Sequence, residues 1–161
     1  MAQDQNRIWV VWLSLLAALL LTIVPIPSAI EIYRPQWLAL FLIYWTIALP
    51  ERISVGHGFL FGLLLDVLTG TTMGENALSL SLITFVAHQA HTRLRISPYF
   101  QQALSVLALL FIQKIVSFLV LGITLGMTTA TSYWISPFIG TLLWPSIFFI
   151  LRKTRRRMRV R

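Results

Sequence analysis

An all-α, polytopic membrane protein built as a six-transmembrane-helix bundle is the fold class this sequence predicts, and three observations predict it. Of the 161 residues, 57% are hydrophobic and 11% are charged, with a mean hydropathy of +0.79; a soluble domain carries about 25% charged residues. The apolar residues gather into six runs, and every connection between them is shorter than a dozen residues. The cations fall on alternate connections, as the positive-inside rule requires of a membrane protein.

The predicted spans are residues 8–24, 34–50, 55–69, 77–92, 101–125 and 133–151, forming one transmembrane domain, with a basic tail at 152–161. Ile8 to Val24 is unbroken and apolar, and no small-residue cleavage site follows it, so it reads as a retained span rather than a removed signal. PIPSAIEIYRP marks an external turn through its prolines, Glu31 and Arg34. The run from Trp37 to Leu49 is too short to cross ~30 Å of hydrocarbon at about 1.5 Å per residue. With Tyr33 and its flanking prolines it makes a short span, tilted or shielded by its neighbours. ERIS is a tight connection to the third span, and TGTTMGEN is a turn rich in glycine and threonine. The fourth span is dotted with serine and threonine. The fifth, the longest, contains Gln113 and Lys114, and the sixth carries Pro137 and Trp144-Pro145.

Six spans put both termini on one side. If that side is cytoplasmic, it holds Arg7, Arg52, Arg93, Arg95 and the seven cations of the tail, leaving Arg34 outside and Lys114 in the membrane. Aromatic residues then fall at two levels, Trp9, Trp12, Tyr44, Trp45 and Tyr99 at the inner interface and Tyr33, Trp37, Tyr133 and Trp134 at the outer.

The most unusual stretch is GHGFLFGLLLDVLTGTTMG, in which Gly58, Gly62, Asp66, Gly70 and Gly74 recur every four residues. Residues four apart nearly superpose along a helix, so the first four form a narrow stripe of bare backbone around a carboxylate. Asp66 lies roughly 16 Å from the cytoplasmic end of its helix, counting ~1.5 Å per residue. A charge at that depth faces protein or water rather than lipid. Lys114 has a comparable depth in a parallel span, so the expected partner of Asp66 is Lys114 or Gln113. The glycines allow close helix packing, either within this chain or against a partner's transmembrane helix. As for Asp66 itself, a lock on helix register is the simplest role. A proton relay needs several titratable groups in line, and His57, His88 and His91 sit nearer the cytoplasmic ends.

Little else points to chemistry. The absence of cysteine removes disulfides and thiolate sites. His88 and His91 are spaced to chelate but lack a third ligand, so no metal and no cofactor are expected. There is no nucleophile–base pair, phosphate loop or carboxylate pair, which argues against an enzyme. Arg152, Lys153, Arg155, Arg156 and Arg157 adjoin a membrane span without interleaved aromatics. They suit anionic lipids or a cytoplasmic partner rather than nucleic acid.

Taken in order, Arg34-Pro35 with Trp37, Tyr44-Trp45, Ala48-Leu49-Pro50, the Val55–Gly74 stretch with Asp66 and Gly70, Leu143-Trp144-Pro145 and the terminal cations resemble the rod-shape-determining MreD family of bacterial inner-membrane proteins. The resemblance covers essentially the whole chain. It implies a non-enzymatic member of the machinery that elongates rod-shaped bacteria. Such a protein would work with MreC, a single-span periplasmic scaffold, with the actin-like MreB filament, and with the glycosyltransferase RodA and its penicillin-binding transpeptidase. It also implies a fold similar to the substrate-binding subunits of energy-coupling-factor transporters. Asp66 matches the family's acidic position, and the family offers no catalytic residues to carry over.

Two functions therefore compete. One is a scaffold that binds MreC and supports regulation of peptidoglycan synthesis and cell shape. The other is a substrate- or lipid-binding membrane subunit of a transporter, with Ser28, Thr71, Thr72 and residues 128–131 at a ligand mouth. An outward cavity would favour the second.

Overall fold

A computed structural model describes residues 8–27, 33–126 and 131–157. Among these the chain forms six α-helices: α1 (Ile8–Ile23), α2 (Trp37–Ala48), α3 (Val55–Thr69), α4 (Glu75–Ile96), α5 (Tyr99–Leu125) and α6 (Ser136–Arg157), with a 3-10 turn at Thr131–Ile135 leading into α6. The proposed ligand-mouth residue Ser28 and residues 128–130 lie outside the described residues.

Proline and glycine set most boundaries. Pro35 and Pro50 bracket α2 and Pro98 separates α4 from α5, since proline lacks an N–H and disfavours helix in the residue before it. Gly70 and Gly126 end α3 and α5 in left-handed conformation, with φ of 64° and 62°. Two helices run beyond the apolar residues that suggested them. α4 begins at Glu75 because its first N–H groups find an acceptor, described below. α6 continues to Arg157, so the start of the basic tail is helical rather than a separate segment.

The shortest helix is the centre of the fold. In α2 every residue from Leu38 to Ile47 except Phe41 is buried, including Tyr44, Trp45 and Thr46. It packs against α1, α4 and α6, and more lightly against α5. At about 1.5 Å per residue its twelve residues extend only ~18 Å, well short of ~30 Å of hydrocarbon. Its neighbours enclose it. Two of its polar side chains find partners inside: Trp45 Nε1 donates to Ser14 Oγ at 2.7 Å, and Thr46 Oγ1 donates to the Leu42 carbonyl at 2.8 Å.

α3 and α4 form the most intimate helix pair, and α4 is sandwiched between α2, α3 and α5. The outward faces are apolar as well: Leu13 and Leu20 on α1, Leu64 and Val67 on α3, Leu104 and Leu119 on α5, Leu142 and Ile150 on α6 are all exposed. Two helical stretches, Tyr99–Thr124 and Tyr133–Arg157, are long and apolar enough to cross a membrane, while α1, α2 and α3 are shorter apolar helices.

Candidate functional site

The five evenly spaced residues of the glycine stretch do three different jobs. Gly58 and Gly62 form the contact with α4. A Cβ on Gly58 would fall 2.6 Å from Thr84 Oγ1 and 2.8 Å from the Leu80 carbonyl oxygen. On Gly62 it would fall 2.5 Å from both Ala77 Cα and the Asn76 oxygen. These separations leave no room for any side chain, nor for a partner's helix: α4 of the same chain occupies the groove. Gly70 and Gly74 lie beyond the end of α3 and are not part of its stripe. Their φ values of 64° and 101° turn the chain back towards α4, in a region that side-chain-bearing residues enter at a cost.

Asp66 stands between these two glycine pairs and is 2% exposed. Its Oδ1 accepts from Thr71 Oγ1 at 3.1 Å, the Asn76 backbone N–H at 3.0 Å and Asn76 Nδ2 at 2.9 Å. Its Oδ2 accepts from the N–H groups of Gly74 at 2.9 Å and Ala77 at 3.2 Å. Gly74 is the N-cap of α4, and Asn76 and Ala77 are in its first turn. The first N–H groups of a helix have no partner within it, and that end carries partial positive charge. Asp66 thus caps the following helix from the preceding one. This corrects the expected pairing with Lys114 or Gln113: the open end of α4, eight to eleven residues on, fills both oxygens first.

Lys114 lies in a different cluster. Its ammonium sits 3.9 Å from the centroid of the Tyr133 ring, a cation–π contact, and its acidic neighbour is Glu75. Glu75, Gln113 and Ser117 are all buried, and Ser117 lies beside the Glu75 carboxyl. Glu75 Oε2 and Gln113 Oε1 have no hydrogen-bond partner among the described residues. Burial pushes the Glu75 carboxyl above the ordinary carboxylate range. Ser117 and Lys114 pull it down and the Asp66 charge pushes it up, without reversing that direction. Glu75, taken from the sequence as an external residue with no link to a site, is the residue that reasoning missed. Its first-turn position is legible in the sequence, but its meeting with Lys114 depends on the α4–α5 register.

The histidines have local partners. His57 Nδ1 accepts from the Ser54 N–H at 3.2 Å in a capping box at the start of α3, and its ring packs on Trp12. His88 and His91 rings pack together with centroids 5.5 Å apart. Among the described residues no three His, Cys, Asp or Glu side chains gather where they could hold a metal ion.

At the opposite end of α4, the basic residues divide into two groups. Arg152 and Arg155 turn inward: Arg152 Nη1 donates to the Tyr99 hydroxyl and Arg155 Nη1 to the Ala48 carbonyl, both at 3.2 Å. Together with Arg95 they border a cavity of about 180 Å³. Lys153, Arg156 and Arg157 lie around a shallow depression beside Phe149, which Arg152 also borders.

The family model described as rod shape-determining protein MreD matches residues 3–154. The chain belongs to the MreD family. It is 33% identical over 163 residues to a protein of Haemophilus influenzae described as rod shape-determining protein MreD, an alignment covering 97% of this chain and 99% of that one. No solved structure matches the chain. MreD is a membrane-associated family of shape-determining structural proteins rather than a known enzyme family, and membership implies a role in determining rod shape.

Proposed function

We propose that this MreD-family chain is a six-span scaffold of the bacterial inner membrane with both termini in the cytoplasm. It binds MreC and supports regulation of peptidoglycan synthesis by the elongation complex, including MreB, RodA and its penicillin-binding transpeptidase. The observation that carries the reading is a family match over nearly the whole chain. The molecule's form supports it. Apolar side chains clothe its outside as well as its core, as contact with lipid requires. Arg95, Arg152 and Arg155 meet at one cavity with the end of α2, which suits an arrangement with the cations gathered on the cytoplasmic side.

The geometry bears on where MreC would bind. Gly58 and Gly62 are filled by α4, so a partner's transmembrane helix must lie on an outward apolar face. The transporter-subunit alternative calls for an outward cavity, a different place from the arginine-bordered cavity described above.

Two measurements test the proposal. The chain has no cysteine, so single cysteines report sidedness directly. Met73→Cys and Tyr33→Cys should react with an impermeant maleimide from outside intact spheroplasts, whereas Glu51→Cys and Ser97→Cys should react only after lysis. A photoreactive residue placed at Leu16, Leu64, Leu119 or Leu142 should crosslink to MreC from one helix face. Labelling of Glu51→Cys from outside would reject the topology, and no MreC crosslink from any face would reject the scaffold contact.

A further inference from the structure

The cavity at the end of α6 is assembled from four helices. Tyr44, Ile47 and Ala48 come from the end of α2, Arg95 from the last turn of α4, Gln102 from the first turn of α5, and Trp144, Phe148, Arg152 and Arg155 from α6. Three arginines thus border one space, and among the described residues no aspartate or glutamate lines it. Each guanidinium has five N–H donors. Arg152 and Arg155 each direct one nitrogen to a neutral oxygen, Tyr99 Oη and Ala48 O, which leaves most of their donors for a ligand. Like charges around one space are an electrostatic cost that an anion would reduce. The paired donors of arginine match the oxygens of a phosphate.

The rest of the cavity argues for what the phosphate is attached to. Ile47, Trp144 and Phe148 make one wall apolar. Next to them on α6, Phe149 and Ile150 are exposed and would face acyl chains. At about 180 Å³ the space is smaller than the ~300–1,000 Å³ usual for a drug-sized ligand. It suits a headgroup whose tails remain outside.

The geometry points to a binding site for the phosphate of an anionic membrane lipid, held by Arg95, Arg152 and Arg155. This differs from diffuse attraction between a basic tail and a charged surface, because one arginine belongs to α4, and Lys153, Arg156 and Arg157 border a separate depression that shares only Arg152 with this cavity. The inference rests on the membrane placement proposed above, but binding can be measured without sidedness, so the two fail separately: maleimide labelling reports topology and the titration below reports the site.

The experiment titrates the delipidated full-length protein in neutral detergent with phosphatidylglycerol, and in parallel with phosphatidylcholine and inorganic phosphate, reading bound lipid by native mass spectrometry. Phosphatidylglycerol should bind in preference to phosphatidylcholine. Replacing Arg95, Arg152 and Arg155 together by glutamine should weaken it at least about tenfold, since each cation contributes appreciably near an anionic headgroup. Replacing Lys153, Arg156 and Arg157 by glutamine removes the same charge and should weaken it less than about threefold. Arg95 is exposed, so Arg95→Gln alone leaves packing intact and should still lower affinity if the triple variant fails to fold. Equal losses in the two triple variants, or an unchanged Arg95→Gln, would overturn the site. Inorganic phosphate binding as tightly as the lipid would overturn the lipid assignment.

Discussion

Gly62→Ala is the smallest change that tests how α3 and α4 are joined. The added methyl would lie 2.5 Å from Ala77 Cα and from the Asn76 oxygen, where ordinary contact begins at 3.4 Å. Both atoms are backbone, so no rotamer change relieves the clash and the helices must separate by nearly an ångström. Overpacking of this kind costs about 1–3 kcal/mol. Asn76 and Ala77 also donate their N–H groups to Asp66, so moving them stretches the cap as well. Losing a helix cap adds about 0.5–2 kcal/mol. At roughly 2–4 °C per kcal/mol for a chain of this size, the melting temperature in detergent should fall by about 5–15 °C. Fluorescence-detected size exclusion after a thermal ramp measures it. Two glycines serve as controls. A methyl added at Gly122 would have nothing within 4 Å, so Gly122→Ala should be neutral or slightly stabilising, as alanine is in a helix interior. Gly70→Ala meets no neighbour either, but its φ of 64° should cost about 1–2 kcal/mol. Equal melting temperatures for Gly62→Ala and Gly122→Ala would refute the close-contact argument.

Other substitutions probe the polar groups. Asp66→Asn places an amide donor among the N–H groups of α4 and should destabilise by about 1–3 kcal/mol. Asp66 and Lys114 both act on Glu75, so Asp66→Asn and Lys114→Gln should add to within ~0.5 kcal/mol once Glu75 is replaced by glutamine; strong non-additivity in that background would restore the ion pair. Glu75→Gln tests the buried acid. A carboxyl raised by burial stabilises the fold fully below the ordinary carboxylate range and loses that contribution as pH rises through its raised value. With Asp66, Lys114 and Tyr133 as its titratable neighbours, Glu75→Gln should gain in melting temperature over the parent as pH rises above the ordinary carboxylate range. A relative fall would show that the attraction to Lys114 outweighs desolvation. Finally, Ser14→Ala removes the acceptor of the buried Trp45 N–H and should cost about 1–3 kcal/mol, read as a lower melting temperature.

The helical character, the six apolar runs and the clustering of cations in a few connections and the tail follow from amino-acid type and order, because hydropathy and proline or glycine punctuation act over a few residues. So does the rank of the Gly58–Gly74 stretch as the most constrained part of the chain: bare glycines around a carboxylate in an apolar helix require a close partner. Which partner was a tertiary decision. Asp66 and Lys114 match in depth when each helix is measured alone, yet depth carries no information on which faces meet. The turn at Gly70 and Gly74 folds the open end of α4 onto Asp66, and unsatisfied N–H groups that near outcompete an ammonium on another helix. The same limit hid Glu75, whose meeting with Lys114 depends on register between α4 and α5, and the arginine cavity, which joins Arg95 to Arg152 and Arg155 across more than fifty residues. Composition and local pattern determined that this chain is helical and apolar and what each segment must bury or shield. Only the packing of the helices decided which charged groups share a site, because opposition across an interface is a property of the assembled fold.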